Sequence, residues 1–151
     1  MRERIKPTRS GLFAIELLIA VGIFSLCAAI CVGLFVRAEV MSQDSANLNR
    51  AVAEARNVAE CFKSAVGDIG DTARLTGGEI AAEGTLLLKY DGDWNRLGSG
   101  TTGTFELTLL PTQEDGYTGA SVSVKRYDFK DGAAVEEDIL CWDIAALEVE
   151  S

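Results

Sequence analysis

Three oxygen-bearing side chains stand at alternate positions in the C-terminal half of the chain. Asp91, Asp93 and Asn95 have the spacing with which a calcium-binding loop begins. In such a loop the sixth residue is Gly and the last is Glu, but this chain has Arg96 and Thr102 there. Asp and Gly also favour tight turns. We therefore interpret this segment as a hairpin turn and keep the calcium site as a weaker alternative.

The residue that acts most often as a general acid or base in enzymes is missing. The chain has no His, so a Ser or Cys nucleophile would lack its usual base. Gly98-Ser99-Gly100 is not followed by the Lys and Ser or Thr of a phosphate-binding loop. Acidic pairs such as Glu114-Asp115 are expected in turns, as solvated charges. The sequence therefore favours a protein that is not an enzyme and that holds no cofactor.

The overall charge excludes a further class of partner. The chain has 151 residues, with 14 Lys and Arg against 23 Asp and Glu, and its net charge is -9 at pH 7. Proteins that bind nucleic acids need clustered cations to displace the counterions of the phosphates. We therefore expect no direct binding to nucleic acid. The length favours one domain with an appendage.

The four cysteines fall into two groups. Cys27 and Cys31 lie in a long apolar run, four residues apart, and we interpret them as small apolar residues of a membrane helix. Without His or a Cys-x-x-Cys pair, the spacing does not favour a zinc site. Cys61 and Cys141 lie outside the run and could form a disulfide if this part of the chain is outside the cytoplasm. The sequence alone leaves their redox state open.

The apolar run has the length of a membrane span. Leu17–Val36 is a stretch of 20 residues without a charge, which as a helix would measure about 30 Å. Secretory signals have shorter apolar regions, and here Arg37 and Glu39 follow without a break. The leader Met1–Gly11 has four basic residues and one acidic residue, a net charge of +3. The positive-inside rule predicts a cytoplasmic leader and an acidic head outside the cytoplasm.

The junction between leader and span carries a more specific signal. The basic leader ends in Gly11, the apolar run begins at once with Leu12, and Glu16 follows within it. A glutamate there is costly unless it has a partner, although it could also snorkel to the membrane surface. The combination over Lys6–Val36 resembles the type IV prepilin-like signal, which type IV pilins, type II secretion pseudopilins and competence pseudopilins share.

The resemblance implies roles for three residues. In that family a prepilin peptidase cuts after the glycine, here Gly11, and methylates the new amino terminus, here Leu12. The glutamate, here Glu16, is thought to neutralise the amino terminus of a neighbouring subunit. The implied partners are the peptidase, other pilin or pseudopilin subunits and the membrane. The sequence departs from the family in having Leu12 where Phe is most common and Ser10 where Lys or Arg is common.

Periodicity predicts that the membrane helix continues into the head. Apolar residues recur at helical spacing, and no Pro interrupts the chain from Leu12 to about Ala65. We expect one helix of about 55 residues, ended by Gly67 and Gly70, and then a loop over Asp71–Gly84. The stripe that should pack on the following strands consists of Leu48, Val52, Ala55, Ala59, Phe62, Val66 and Ile69.

Strand patterns fill the rest of the chain. We predict about four antiparallel strands, over Thr85–Tyr90, Thr104–Leu110, Ala120–Tyr127 and Asp138–Val149. The fold class is α+β, with a long N-terminal helix packed on this sheet. The predicted organisation is a cytoplasmic leader over 1–11, a transmembrane and assembly helix over 12–36, and a head over 37–151, helical to about 66.

These observations lead to two hypotheses of function. The first is a structural subunit of a type IV pilus-like, type II secretion or competence filament, matured after Gly11 and polymerised through its N-terminal helix. Among subunit types, the sequence favours a minor pilin or pseudopilin in the cytoplasmic membrane. The second is a single-span membrane-anchored binding or sensor domain that keeps its leader.

Overall fold

One long helix forms the N-terminal part of the structure. The computed structural model describes residues 9–98, 100–114, 117–130 and 133–148. Helix α1 spans Arg9–Ser64, 56 residues, as the absence of Pro and the helical periodicity predict. The chain divides into two compact units, the first reaching Asp44 and the second beginning at Ser45. The last five turns of α1 thus belong to the second unit, in which they pack on a sheet.

A short helix follows α1 where the sequence predicts a loop. Helix α2 spans Ile69–Thr76, and therefore the predicted loop is wrong over its first half. The side chain of Asp68 caps this helix by accepting a hydrogen bond from the backbone of Asp71 at 2.7 Å. The chain leaves α2 through Gly77, which has a φ of 65°. Gly70 lies inside α2 and so does not stop α1.

Six strands form one antiparallel sheet. They are β1 (Glu79–Ile80), β2 (Leu86–Tyr90), β3 (Arg96–Leu97), β4 (Phe105–Glu114), β5 (Tyr117–Lys130) and β6 (Ala133–Glu148), and a 3-10 turn covers Ala82–Gly84. The order is β1-β2-β4-β5-β6, and β3 also pairs with β2. The predicted α+β class is confirmed. The sheet exceeds the predicted number of about four strands because β1 and β3 have only two residues each, too few for a periodic signal.

The long strands extend beyond their predicted ends. Strand β4 continues through Pro111, which pairs with Ala120, instead of stopping there. Pairing with β2 ends at Leu109, so the missing N–H of Pro111 removes no hydrogen bond on that side. Strand β6 begins at Ala133, five residues before its predicted start, and its register against β5 shifts between Ile144 and Leu147.

The core lies between α1 and one face of the sheet. Helix α1 contributes Ala51, Ala55, Val58, Ala59 and Phe62, and the strands contribute alternate residues such as Leu107, Val122 and Val124. The predicted helix stripe is correct for its middle members, but Leu48 and Val66 are exposed by 42% and 71%. The buried residues of α1 are therefore not the same as the predicted stripe. Three of them are alanines, whose small side chains let the helix approach the sheet closely.

Two polar contacts join α1 to the end of β2 and to the turn that follows it. The hydroxyl of Tyr90 donates a hydrogen bond to Glu54 at 3.0 Å, and the indole of Trp94 donates one to Asn47 at 3.1 Å. Trp94 also stacks on Phe105, with ring centroids 4.3 Å apart. Burial, followed by the charge and hydrogen bond of Glu54, raises the pKa of Tyr90 well above its usual value. These contacts hold the helix at a defined position over the sheet.

Candidate functional site

The predicted processing point lies at the start of α1. Gly11 and Leu12 are the third and fourth residues of the helix, which begins at Arg9. An added methyl group at Gly11 would meet nothing within 4 Å. Gly11 and Leu12 are both exposed.

The helix after this point presents an apolar surface on all sides. Every residue from Gly11 to Ala46 is exposed, and large side chains such as Phe24 and Phe35 are 75% and 77% exposed. Among the described residues, α1 is the one helix that is long and apolar enough to cross a membrane, with a mean hydropathy of 2.7 in its most apolar stretch. A helix that is apolar all round requires an apolar environment, either lipid or other helices.

Glu16 is a single acidic side chain in this apolar surface. It lies five residues after Gly11, or about 7.5 Å along the helix axis. Its side chain is exposed, and it forms no salt bridge within the described part of the chain. A carboxylate on an apolar helix surface needs a cationic or hydrogen-bonding partner when that surface leaves water.

The acidic segment after β2 forms a tight turn. The carboxylate of Asp91 accepts hydrogen bonds from the backbone of Asp93 and Asn95 at 2.9 and 2.8 Å, and from the Asn95 amide at 3.0 Å. The bonds from Asn95 are the main cause that lowers the pKa of Asp91. Both Asp91 oxygens are thus used to hold the turn. Within the described ranges, no group of three or more acidic or Cys side chains could hold a metal ion.

The structure does not bring Cys61 and Cys141 together. Cys141 pairs with Ser123, whose neighbours Val122 and Val124 face the core, so both Cys141 and Ser123 face away from α1. Cys61 lies on α1, on the other side of the sheet, next to the buried Phe62. All four cysteines are free thiols. In this arrangement a Cys61–Cys141 disulfide would require a rearrangement of the sheet.

The face of the sheet away from α1 carries a polar network that the sequence pattern does not reveal. The hydroxyls of Thr108 and Ser123 are 2.6 Å apart on neighbouring strands. Lys125 forms an ion pair with Glu136, and this hydrogen bond raises the pKa of the lysine. Partial burial and the charge of Glu106 raise the pKa of Tyr127. These pairs depend on strand register, which no local signal in the sequence fixes.

Strand β6 leaves one edge of the sheet open. It pairs with β5 along nearly its whole length, and no described strand lies on its other side. A cavity of about 360 Å³ lies between this edge and α1, and its lining includes Arg56, Lys63 and Trp142. The indole of Trp142 is 40% exposed. The sequence predicts a last strand but gives no sign that it is an edge.

Comparison of the chain with protein-family models, with curated proteins and with solved structures finds no match. The function is therefore inferred from the residues and the geometry described above.

Proposed function

We propose that this protein is a structural subunit of a type IV pilus-like, type II secretion or competence filament, made as a prepilin-like precursor. The observation that carries the proposal is the junction Gly11-Leu12 followed by Glu16, at the start of a helix whose surface is apolar on every side. In this proposal the precursor is held in the cytoplasmic membrane by α1, with its head outside. A prepilin peptidase removes Met1–Gly11 and methylates Leu12.

The exposed helix supports assembly through side-by-side packing. The apolar residues of the first unit have no cover within the described chain. In the membrane, lipid covers them, and in a filament the helices of neighbouring subunits replace the lipid. The extension of α1 into the core of the head links this packing surface to a folded domain. A filament subunit needs both parts.

Glu16 supports the same proposal through its electrostatics. Cleavage after Gly11 creates an ammonium group at Leu12, four residues before the carboxylate. The ammonium of one subunit can neutralise the Glu16 carboxylate of the next when both leave water. A glutamate in the apolar part of a membrane helix otherwise costs on the order of 2 to 3 kcal/mol in insertion.

Intact-mass analysis tests the proposal. The full chain is expressed in bacterial cells with and without a prepilin peptidase. With the peptidase, we expect a mass that lacks Met1–Gly11 and includes one additional methyl group. Gly11→Ala should keep the full mass. Gly22→Ala is the matched control, because both glycines lie in α1 with nothing within 4 Å of an added methyl group.

The outcome separates the two hypotheses. Processing that Gly11→Ala abolishes and Gly22→Ala leaves intact would support the filament subunit. Glu16→Gln should then still be processed but should fail to assemble, because the neutral amide cannot pair with an ammonium. A chain that keeps its leader in the presence of an active peptidase would refute the proposal. It would favour the membrane-anchored binding or sensor domain instead.

A further inference from the structure

We infer that the open edge of β6 is a docking site for an extended, basic strand of another protein. The inference is independent of leader processing, since it concerns only residues of the head. In an antiparallel ladder about half of the residues of a strand direct their N–H and C=O groups away from the partner strand. Strand β6 has 16 residues and one neighbour, so a row of these groups faces outward.

The two edges of the sheet differ. At the opposite edge, β1 and β3 cover β2 from the outside, leaving little of it open. Proteins usually protect a long edge strand with lysines, prolines or a covering segment. Strand β6 contains no Lys, Arg or Pro, and no described segment covers it. Two bulges disturb its pairing with β5, one near Ile139 and one between Ile144 and Leu147, but the strand continues through both.

The charges of β6 define the kind of strand that fits. Its five acidic residues are Glu136, Glu137, Asp138, Asp143 and Glu148. Glu136 is paired with Lys125 and Glu137 with Arg126. Asp138 and Asp143 are exposed and form no ion pair among the described residues. Their partners in the ladder are Lys125 and Ser121, which places both on the face away from α1.

The other side of the edge, next to α1, has no net charge preference. Beside Trp142, which projects on the α1 side, the cavity is lined by two basic residues, Arg56 and Lys63, and two acidic residues, Glu60 and Asp143. These charges balance, and an apolar side chain would cover the exposed indole. The matching strand therefore alternates, with basic residues on the outer face and apolar residues next to Trp142.

The same charges argue against a second copy of this chain as the occupant. Two β6 strands paired edge to edge would bring ten carboxylates together with no cation from either strand. Like charges opposite one another destabilise a strand pair. The occupant is thus a strand of a different protein with positive charge.

A synthetic peptide of alternating lysine and valine provides the probe. Its binding to the full chain in non-ionic detergent is measured by fluorescence anisotropy, and backbone amide exchange shows where it binds. We expect slower exchange in β6. The double substitution Asp138→Lys with Asp143→Lys should weaken binding by at least about tenfold, because two attractive cross-strand pairs become repulsive. A peptide of alternating glutamate and valine should not bind.

A matched pair of substitutions controls for general charge attraction. Glu83→Lys with Asp93→Lys changes the net charge equally at exposed turns away from β6, and we expect it to keep binding within about twofold. Equal losses in both double variants would refute the docking site, as would binding of the lysine peptide to wild type without slower exchange in β6. The exchange result needs no variant, so it remains decisive if a substitution impairs folding. Dimers whose amide protection maps to β6 would also overturn the inference, in favour of a second copy.

Discussion

Replacing Tyr90 by Phe tests the contact that holds α1 on the sheet. The ring of Tyr90 is 3% exposed and packs beside Trp94, so Phe keeps the packing and removes only the hydroxyl. That hydroxyl donates to the Glu54 carboxylate at 3.0 Å. A hydrogen bond to a charged group contributes about 1.5 to 3 kcal/mol, and partial exposure of Glu54 reduces this to about 1 to 2 kcal/mol.

Urea unfolding of the full chain in non-ionic detergent measures this change, with Trp94 as the fluorescent reporter. For a slope of about 1.5 kcal/mol per molar urea, the midpoint should fall by about 1 M in Tyr90→Phe. Tyr127→Phe is the control, because Tyr127 lies on the other face of the sheet and its hydroxyl has no hydrogen-bond partner in the described structure. It should shift the midpoint by less than about 0.3 M.

The raised pKa of Tyr90 adds a dependence on pH. The folded chain holds the phenolic proton more tightly than the unfolded chain, whose tyrosine titrates near 10.0. This stabilisation is fully present below pH 10 and is lost as the pH rises towards the folded pKa. Wild type should therefore lose stability more steeply than Tyr90→Phe in alkali. Equal midpoints for Tyr90→Phe and Tyr127→Phe at neutral pH would refute a stabilising role for the bond to Glu54.

Three further predictions concern the head. Phe62→Ala should lower the free energy of unfolding by about 3 to 5 kcal/mol in the same urea assay, because the side chain is fully buried; a change below about 1 kcal/mol would contradict the core assignment. Gly67→Ala should lower the melting temperature, because the residue has a φ of +80° and its new methyl group would lie 2.7 Å from the side chain of Thr118. Gly92→Ala is the control and should change the melting temperature little, because its methyl group would meet nothing within 4 Å. Because the pKa of Asp91 is lowered in the folded chain, the ionised carboxylate stabilises the fold above the unfolded pKa, and this stabilisation is lost as the pH falls through the folded pKa. Asp91→Asn should therefore make the melting temperature depend less on pH in acid. An increase of Tm with added calcium in wild type would instead indicate a metal site.

The sequence predicts the elements that have strong local signals. The absence of Pro and the helical spacing indicate α1 to within a few residues of its observed end at Ser64. Alternation over the predicted strand Ala120–Tyr127 places Val122 and Val124 on one face, and the structure buries both. The sequence does not predict helix α2, because its eight residues are too few for a clear period. The helix is stabilised instead by the Asp68 cap and by hydrogen bonds from the hydroxyls of Thr72 and Thr76 to the backbone.

The candidate sites also differ in whether the sequence alone can predict them. Gly11, Leu12 and Glu16 stand out in the sequence because the signal is local and depends only on order along the chain. The roles proposed for them remain predictions. The open edge of β6 could not be predicted, because it follows from which strands pair and in what order. Whether Cys61 and Cys141 could meet also depends on the face that register gives to Cys141.

Local signals along the sequence are enough to indicate a basic N-terminal segment, an apolar helix long enough to span a membrane and an α+β fold, since composition and period act locally. Tertiary structure alone decides which side chains meet across the chain. Glu54 contacts Tyr90 36 residues away, and Asn47 contacts Trp94 47 residues away. The physical reason is that such contacts form only after strand register and helix packing have brought distant segments together, and many sequences of the same pattern would place different residues there.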